Sequence, residues 1–310
     1  MMTSIAFLKQ QAFGPTACLW KESQALTLSA LLGLLLSVLL VLAASAAPPP
    51  LKDGKSWQLK FSDDFSAPQL NRYFWQTCYE DNKCHHWDNF EKQWYAVSHV
   101  VPHKNGLALI ATKQGRRNVQ VSDDLSEPVY VDLPYTSGML ASSRAFDFQY
   151  GYFEIEAKIP QGKGLWPAFW LKPRRDWPPE IDIFENLGHD PDTIYFSHHW
   201  ADKYGKHAFR SESVERSQLR NRTAASNSSN PASRLGFHRY AIHWTSTQIT
   251  WYIDDVACYQ VVENIPHQPL MMIANLAVGG NWPGDPDETT VFPAVMQIKH
   301  IKVWQTNTLK

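Results

Sequence analysis

The sequence predicts an all-β domain, a sandwich or a barrel, from about residue 56 onward. Three observations carry that reading. Short runs of alternating apolar and polar residues recur, turn residues separate them, and long helical periodicity is absent after residue 47. At 310 residues and 44% hydrophobic, the chain can fill a core, which excludes disorder as its default state. With 29 Lys+Arg against 30 Asp+Glu the net charge is −1, so the composition gives no electrostatic footprint for nucleic acid and no polybasic membrane tether. The outlying count is 13 Trp. Indoles fill cores and also stack on flat, sugar-like ligands, so their positions must decide between the two uses.

Residues 25–47 carry no charge, follow Lys9 and Lys21, and end in the small-x-small triplet Ala44-Ser45-Ala46, the layout of a signal peptide. The run exceeds the usual ~7–15 apolar residues of such a segment and reaches the ~20 that span a bilayer, so an uncleaved signal-anchor, holding the chain to a membrane through 25–47, is the rival. Either reading sets residues 1–47 apart from the fold and exports the remainder, as a secreted protein or one of the periplasm or cell envelope. Pro48-Pro49-Pro50 opens an extended spacer over 48–55. Residues 56–310 then form one domain, with strands predicted at 57–61, 107–112, 151–159, 180–185, 240–244, 249–253, 270–276 and 297–305. The polar stretch 202–236 has little to bury and is expected to be a long surface loop; Asn221-Arg222-Thr223 and Asn227-Ser228-Ser229 within it are glycosylation sequons. Cys78 and Cys84 close a short loop suited to a disulfide in an oxidising compartment, with zinc on Cys78, Cys84, His85 and His86 as the alternative, although that spacing matches no standard metal pattern. Cys258 reads as a small buried apolar residue.

The segment Trp177-Pro178-Pro179-Glu180-Ile181-Asp182-Ile183-Phe184-Glu185-Asn186 puts three acids inside an apolar strand. Residues i and i+2 share a face, so Glu180 and Asp182 point one way and Ile181 and Ile183 the other. Strict alternation would then set Phe184 beside the acids and turn Glu185 inward; one extra residue, a β-bulge, reverses that. Like charges on one face favour each other's protonated forms, a cost that suggests a use. Hydrolysis of a glycosidic bond requires two carboxyl groups flanking the sugar, and a third can tune one of them. A solvated acidic strand edge is the plain alternative. Trp166 and Trp170 before the acids, and Ser197-His198-His199-Trp200 after them, supply the aromatic surroundings of a sugar cleft. The Gly279-Gly280 pair with Pro283-Gly284 is a turn signal, since it lacks the lysine and helix start of a phosphate loop.

In these residues the chain resembles glycoside hydrolase family 16, the laminarinase-like enzymes. The landmarks are Phe61-Ser62-Asp63-Asp64-Phe65, Tyr135-Thr136-Ser137-Gly138, Gly151-Tyr152-Phe153-Glu154, Leu165-Trp166-Pro167-Ala168-Phe169-Trp170, Glu180 to Glu185, Phe237-His238-Arg239-Tyr240 and Asn275 to Gly284, in the family's order. The resemblance implies a concanavalin-like β-jelly-roll: two packed antiparallel sheets, with the substrate cleft on a concave face. It implies Glu180 as nucleophile, Glu185 as acid/base and Asp182 as the assisting carboxylate, in the bulged Glu-x-Asp-x-x-Glu form. It also implies cleft positions for Trp166, Trp170, His199 and Trp282, with Asn89 and Asn275 bonding sugar hydroxyls. The expected function is retaining endo-hydrolysis of a polysaccharide by a monomer, first a β-1,3- or β-1,3-1,4-glucan. A sulfated galactan or bacterial exopolysaccharide, transfer to a sugar acceptor, and non-catalytic carbohydrate binding are the alternatives. Arg174-Arg175, Lys203 and Lys206 are the cations that would serve a sulfated chain. The sequence departs from the pattern at the calcium site of many members: Lys299 stands where an Asp is usual and Asp64 where Glu is usual. A lysine repels a cation, so no metal and no cofactor are expected.

Overall fold

The second half of the chain supplies most of the strands that matter for the site, because its apolar residues alternate over longer runs. The structure is a computed structural model that describes residues 48–51, 55–80, 83–104, 106–121, 126–219 and 236–307. The signal segment 1–47 and both sequons lie outside the described residues. In chain order the strands are β1 (Trp57–Asp63), β2 (Trp75–Gln76), β3 (Gln93–Tyr95), β4 (Val100–His103), β5 (Gly106–Ala111), β6 (Arg116–Gln120), β7 (Tyr130–Leu133), β8 (Tyr135–Ser137), β9 (Met139–Ser142), β10 (Gly151–Lys158), β11 (Leu165–Lys172), β12 (Glu180–Leu187), β13 (Asp190–Ala201), β14 (His207–Glu215), β15 (His238–Trp244), β16 (Ile249–Ile253), β17 (Val256–Val261), β18 (Met271–Val278) and β19 (Ala294–Thr306). All eight stretches predicted as strands are strands.

Two large antiparallel sheets form a sandwich. One runs β17-β16-β15-β10-β19-β5-β4, with β1 also paired to β19; the other runs β14-β13-β12-β11-β18-β9-β2. The core lies between them. Phe153, Ile155, Ile242, Trp244, Trp251, Ile301 and Val303 from the first sheet meet Phe169, Ile181, Ile183, Phe184, Phe196, Met272 and Leu276 from the second, all fully buried. At about 1.5–3 kcal/mol for each large apolar side chain removed from water, this layer holds the sandwich together. Its apolar residues face inward, so the outer face of the seven-stranded sheet is free to carry polar chemistry.

The surface loop expected over 202–236 is corrected in part. His207–Glu215 is strand β14, paired along β13 from His207 opposite Ala201 to Glu215 opposite Thr193, and Arg216–Leu219 is one helical turn. As the edge strand it leaves most of its side chains exposed, so its residues carry no apolar alternation; the backbone ladder alone specifies it. Cys78 and Cys84 form a disulfide, which removes both sulfurs from the alternative zinc set.

Candidate active site

The site begins with a defect in β12. Against β13, Asp182 pairs with Ser197 and Glu185 with Tyr195, three steps against two. Against β11, Asp182 pairs with Trp170 and Phe184 with Phe169, two steps against one. The extra residue is Ile183. It lets Ile183 and Phe184, neighbours in sequence, both enter the core, where Phe184 packs at 4.3 Å on the ring of Tyr240. Glu185 is thereby returned to the face of Glu180 and Asp182. From the core side, Trp251 Nε1 donates to the backbone oxygen of Asp182 at 2.8 Å, fixing the chain where the bulge starts.

The acids open onto a cavity of about 790 Å³ on the outer face of the seven-stranded sheet. Trp166, Trp170, His199, Trp282, Asn89 and Asn275 line it with them, so these nine residues assigned from sequence are brought together there. Trp166 Nε1 donates to Glu185 Oε1 at 3.0 Å. Trp282 is held edge-on to Trp166, at 5.4 Å, and to Tyr195, at 4.9 Å. It reaches that place from the turn at Gly279 and Gly280, whose φ of +72° and +117° suit glycine, and where a Cβ would run into Lys92 and the Asn89 backbone. Trp170 Nε1 donates to Asn275 Oδ1 at 2.8 Å, and Asn275 Nδ2 donates to the Tyr95 hydroxyl at 2.9 Å. Asn275 therefore orients the Trp170 indole within the cleft floor. Asn89 Nδ2 donates to the buried Glu91 at 3.2 Å.

His199 Nε2 lies 3.1 Å from Asp182 Oδ2 and 3.6 Å from Glu180 Oε1. A carboxylate only accepts, so Nε2 carries the proton, and Nδ1 meets His207 Nε2 at 2.9 Å. Burial raises the pKa of Glu180 to about 8, with the Asp182 charge adding to the effect; His199, Trp177 and Lys172 act in the opposite direction. Burial and then Asp182 and Glu180 hold Glu185 far above the usual carboxylate range, opposed by the Trp166 hydrogen bond alone. Burial disfavours the charged form of His199, but its hydrogen bond to Asp182 and the two nearby acids outweigh that and raise its pKa. Both glutamates are pushed toward the protonated form, Glu185 the more strongly, so Glu180 is the first of the two to ionise while Glu185 keeps its proton.

Several residues of the site were not found from sequence. Trp177, left unassigned there, donates to Glu180 Oε2 at 2.9 Å and lies 4.6 Å from the His207 ring. Tyr79, His86, Glu91, Lys172, Tyr195, His207 and Phe209 also line the cavity. The signal for Trp177 was its place three residues before Glu180; His207 and Phe209 stand on the unforeseen strand β14. Trp200, read as a stacking platform, is instead stacked on His198 at 4.6 Å, one strand step away from the face that His199 shares with the acids. Arg174 is saturated by Asp147, Glu80 and the Ser142 carbonyl, and Arg175, Lys203 and Lys206 do not line the cavity.

Two groups of residues come near to a cation site. Glu180, Asp182 and His199 place one ligand atom each within 4.8 Å of one another. The His199 nitrogen concerned already bonds Asp182, and Trp177 occupies one oxygen of Glu180. At the calcium position of the resemblance, Lys299 Nζ bonds Glu156 and lies 4.4 Å from the centre of the Phe237 ring. An ammonium already neutralises the carboxylate that would attract a cation, so these residues do not suit calcium.

A family model, "Glycosyl hydrolases family 16", matches residues 87–298. The chain is 30% identical over 263 residues to the endo-1,3-1,4-beta-glycanase EglC of Rhizobium meliloti, covering 79% of this chain and 51% of that one. It thus spans about half the length of that relative. The beta-glucanase of Rhodothermus marinus is 30% identical over 274 residues, 80% of this chain and 85% of that one. Among solved structures, the endo-beta-1,3-glucanase of Pyrococcus furiosus superposes with a TM-score of 0.67 at 29% identity, over 84% of this chain and 99% of that one. The sandwich is the jelly-roll that those relatives share, and its matched stretch contains every strand that borders the acids. On that agreement of sequence and architecture, the chain belongs to glycosyl hydrolase family 16.

Proposed function

We propose that this chain is a retaining, endo-acting glycoside hydrolase of a β-1,3-glucan or β-1,3-1,4-glucan. One observation carries the reading: the bulge at Ile183 gathers Glu180, Asp182 and Glu185 on one face of an aromatic-lined cleft. Glu185, kept protonated by burial, gives its proton to the glycosidic oxygen as the bond to the anomeric carbon breaks. Glu180, whose charge His199, Trp177 and Lys172 favour, attacks that carbon and forms a glycosyl ester. Glu185, now a carboxylate, takes a proton from water, which hydrolyses the ester and restores both groups. Asp182 and His199 are positioning residues: they hold one another at 3.1 Å and set the local charge that keeps the two glutamates in different states. Trp166, Trp170 and Trp282 offer indole surfaces for the sugar rings.

The proposal includes a monomer that uses no metal or cofactor, and export directed by residues 25–47, cleaved or kept as a membrane anchor. Among the described residues no helix is long and apolar enough to cross a membrane. Reducing-end release from laminarin, lichenan, agarose, carrageenan and a bacterial exopolysaccharide, measured side by side with Glu180→Gln, tests the function. Release from the two glucans, lost in the variant while glucan binding persists, is expected. Release that survives the substitution, or release from galactans alone, contradicts it. Products longer than the substrate would reassign the second step to a sugar acceptor.

A further inference from the structure

The cleft has a side pocket that the reaction does not use. It measures about 260 Å³ and shares Tyr79, His86, Asp88 and Lys172 with the main cavity. Lys172 ends β11 on the face that carries Trp170 and Ala168, one alternation beyond Trp170 and toward Glu180. It is half-buried, and its ammonium makes no hydrogen bond or contact ion pair with any other described residue. Burial draws its pKa below the usual lysine range, while the charges of Glu180 and Glu80 hold it up. His86, which lines both cavities with Lys172, has its Nδ1 buried. The pocket is also lined by Lys83, by Glu80 and by Arg174, whose guanidinium is already matched by Asp147 and Glu80.

A half-buried ammonium with no counter-ion in contact is costly unless something completes it. The sugar hydroxyls of a neutral glucan offer dipoles; an anionic group offers charge and several acceptor oxygens together. Asp88, Glu80 and the cleft acids oppose an anion, but Asp88 is exposed and Glu80 is paired with Arg174 at 3.0 Å. We propose that this side pocket is a subsite for an anionic substituent on the polysaccharide, a carboxylate or a sulfate ester, with Lys172 as the residue that determines its acceptance. The inference rests on the hydrolase reading above and refines the substrate class: a β-glucan or related exopolysaccharide that carries an anionic substituent is preferred over the unsubstituted chain.

The test uses one β-1,3-glucan in three forms, unsubstituted, carboxymethylated and sulfated. The full chain is compared as wild type, Lys172→Met and Lys172→Arg, with Lys172→Gln as a second neutral variant. Loss of the Lys172 charge also affects Glu180, but equally for all three substrates, so the ratio of kcat/KM on the charged form to that on the neutral form isolates the pocket. That ratio should fall about tenfold in the Met and Gln variants, through KM, and be kept by Arg. The arm that falls identifies carboxylate or sulfate. A ratio unchanged in both neutral variants overturns the proposal. Binding of the same three glucans to Glu180→Gln, with and without Lys172→Met, separates the two readings. If wild type hydrolyses nothing, the hydrolase reading fails; if Lys172→Met leaves the charged-to-neutral binding ratio unchanged, the subsite fails.

Discussion

Trp251 and Trp166 stand on opposite sides of β12, and each donates one indole N–H to it. Trp251, wholly buried, bonds the backbone oxygen of Asp182 at 2.8 Å; Trp166, half-buried in the cleft, bonds the side chain of Glu185 at 3.0 Å. The first bond holds the strand in its bulged path, and the second holds the charge state of a carboxyl. The same contrast runs along the whole strand: Ile181, Ile183 and Phe184 secure the sheet from within, and Glu180, Asp182 and Glu185 do chemistry outside it. Substitutions on the inner side should therefore register first as stability, and those on the outer side as rate.

The largest effect is expected on the outer side. Glu180→Gln should lower kcat by more than about 10³-fold while the protein remains folded by circular dichroism. On the inner side, Phe184→Ala should cost about 3–5 kcal/mol in denaturant unfolding, with activity lost only as the fold is lost. The two tryptophans provide the direct contrast. Trp251→Phe should cost roughly 1–3 kcal/mol of stability, because it leaves a buried carbonyl unpaired. Trp166→Phe should change stability by less than about 0.5 kcal/mol yet reduce kcat about tenfold, with the alkaline limb of the pH–rate profile moved upward, since the Glu185 proton is held more tightly without the indole donor. Equal stability losses in the pair would erase the distinction between the faces.

The pH dependence of stability has a definite sign. Burial and the Asp182 charge raise the Glu180 carboxyl to about 8 in the folded chain, against about 4.5 for an ordinary glutamate. Its contribution to stability is present below 4.5 and lost as pH rises through 8. Glu180→Gln should therefore raise Tm relative to wild type more at pH 9 than at pH 5. A smaller effect is expected from His207→Ala, which removes one bond to His199: about a fivefold loss in kcat/KM and little change in Tm. EDTA should leave Tm unchanged, in keeping with the Lys299–Glu156 pair.

How much of this was legible in the sequence follows from what each residue must do. The acids could be read because three carboxyls in an apolar strand need a reason, and the bulge because alternation otherwise buries Glu185. The inner strands could be read from period two. Strand β14 could not, since an edge strand held by its backbone ladder imposes no apolar pattern. Its loss concealed His207 and Phe209. Trp200 was misplaced for a related reason: adjacency to His199 in sequence puts a residue on the opposite face of a strand. Arg174, suspected of serving a charged substrate, is tied to Asp147 and Glu80, and Lys172, which has no such ion pair among the described residues, is not singled out by sequence because ion pairs are tertiary facts.

The assignment of roles to the two glutamates is tested most directly by the configuration of the product that azide forms with each truncated variant, using an aryl β-glucan oligosaccharide with a good leaving group. In Glu180→Ala, azide occupies the emptied nucleophile position and attacks the anomeric carbon from the face opposite the leaving group, so NMR should show an α-glycosyl azide. In Glu185→Ala the glycosyl ester on Glu180 still forms, and azide displaces it to give the β-glycosyl azide. The reverse pairing of variant and product, or the same anomer from both, would contradict the account.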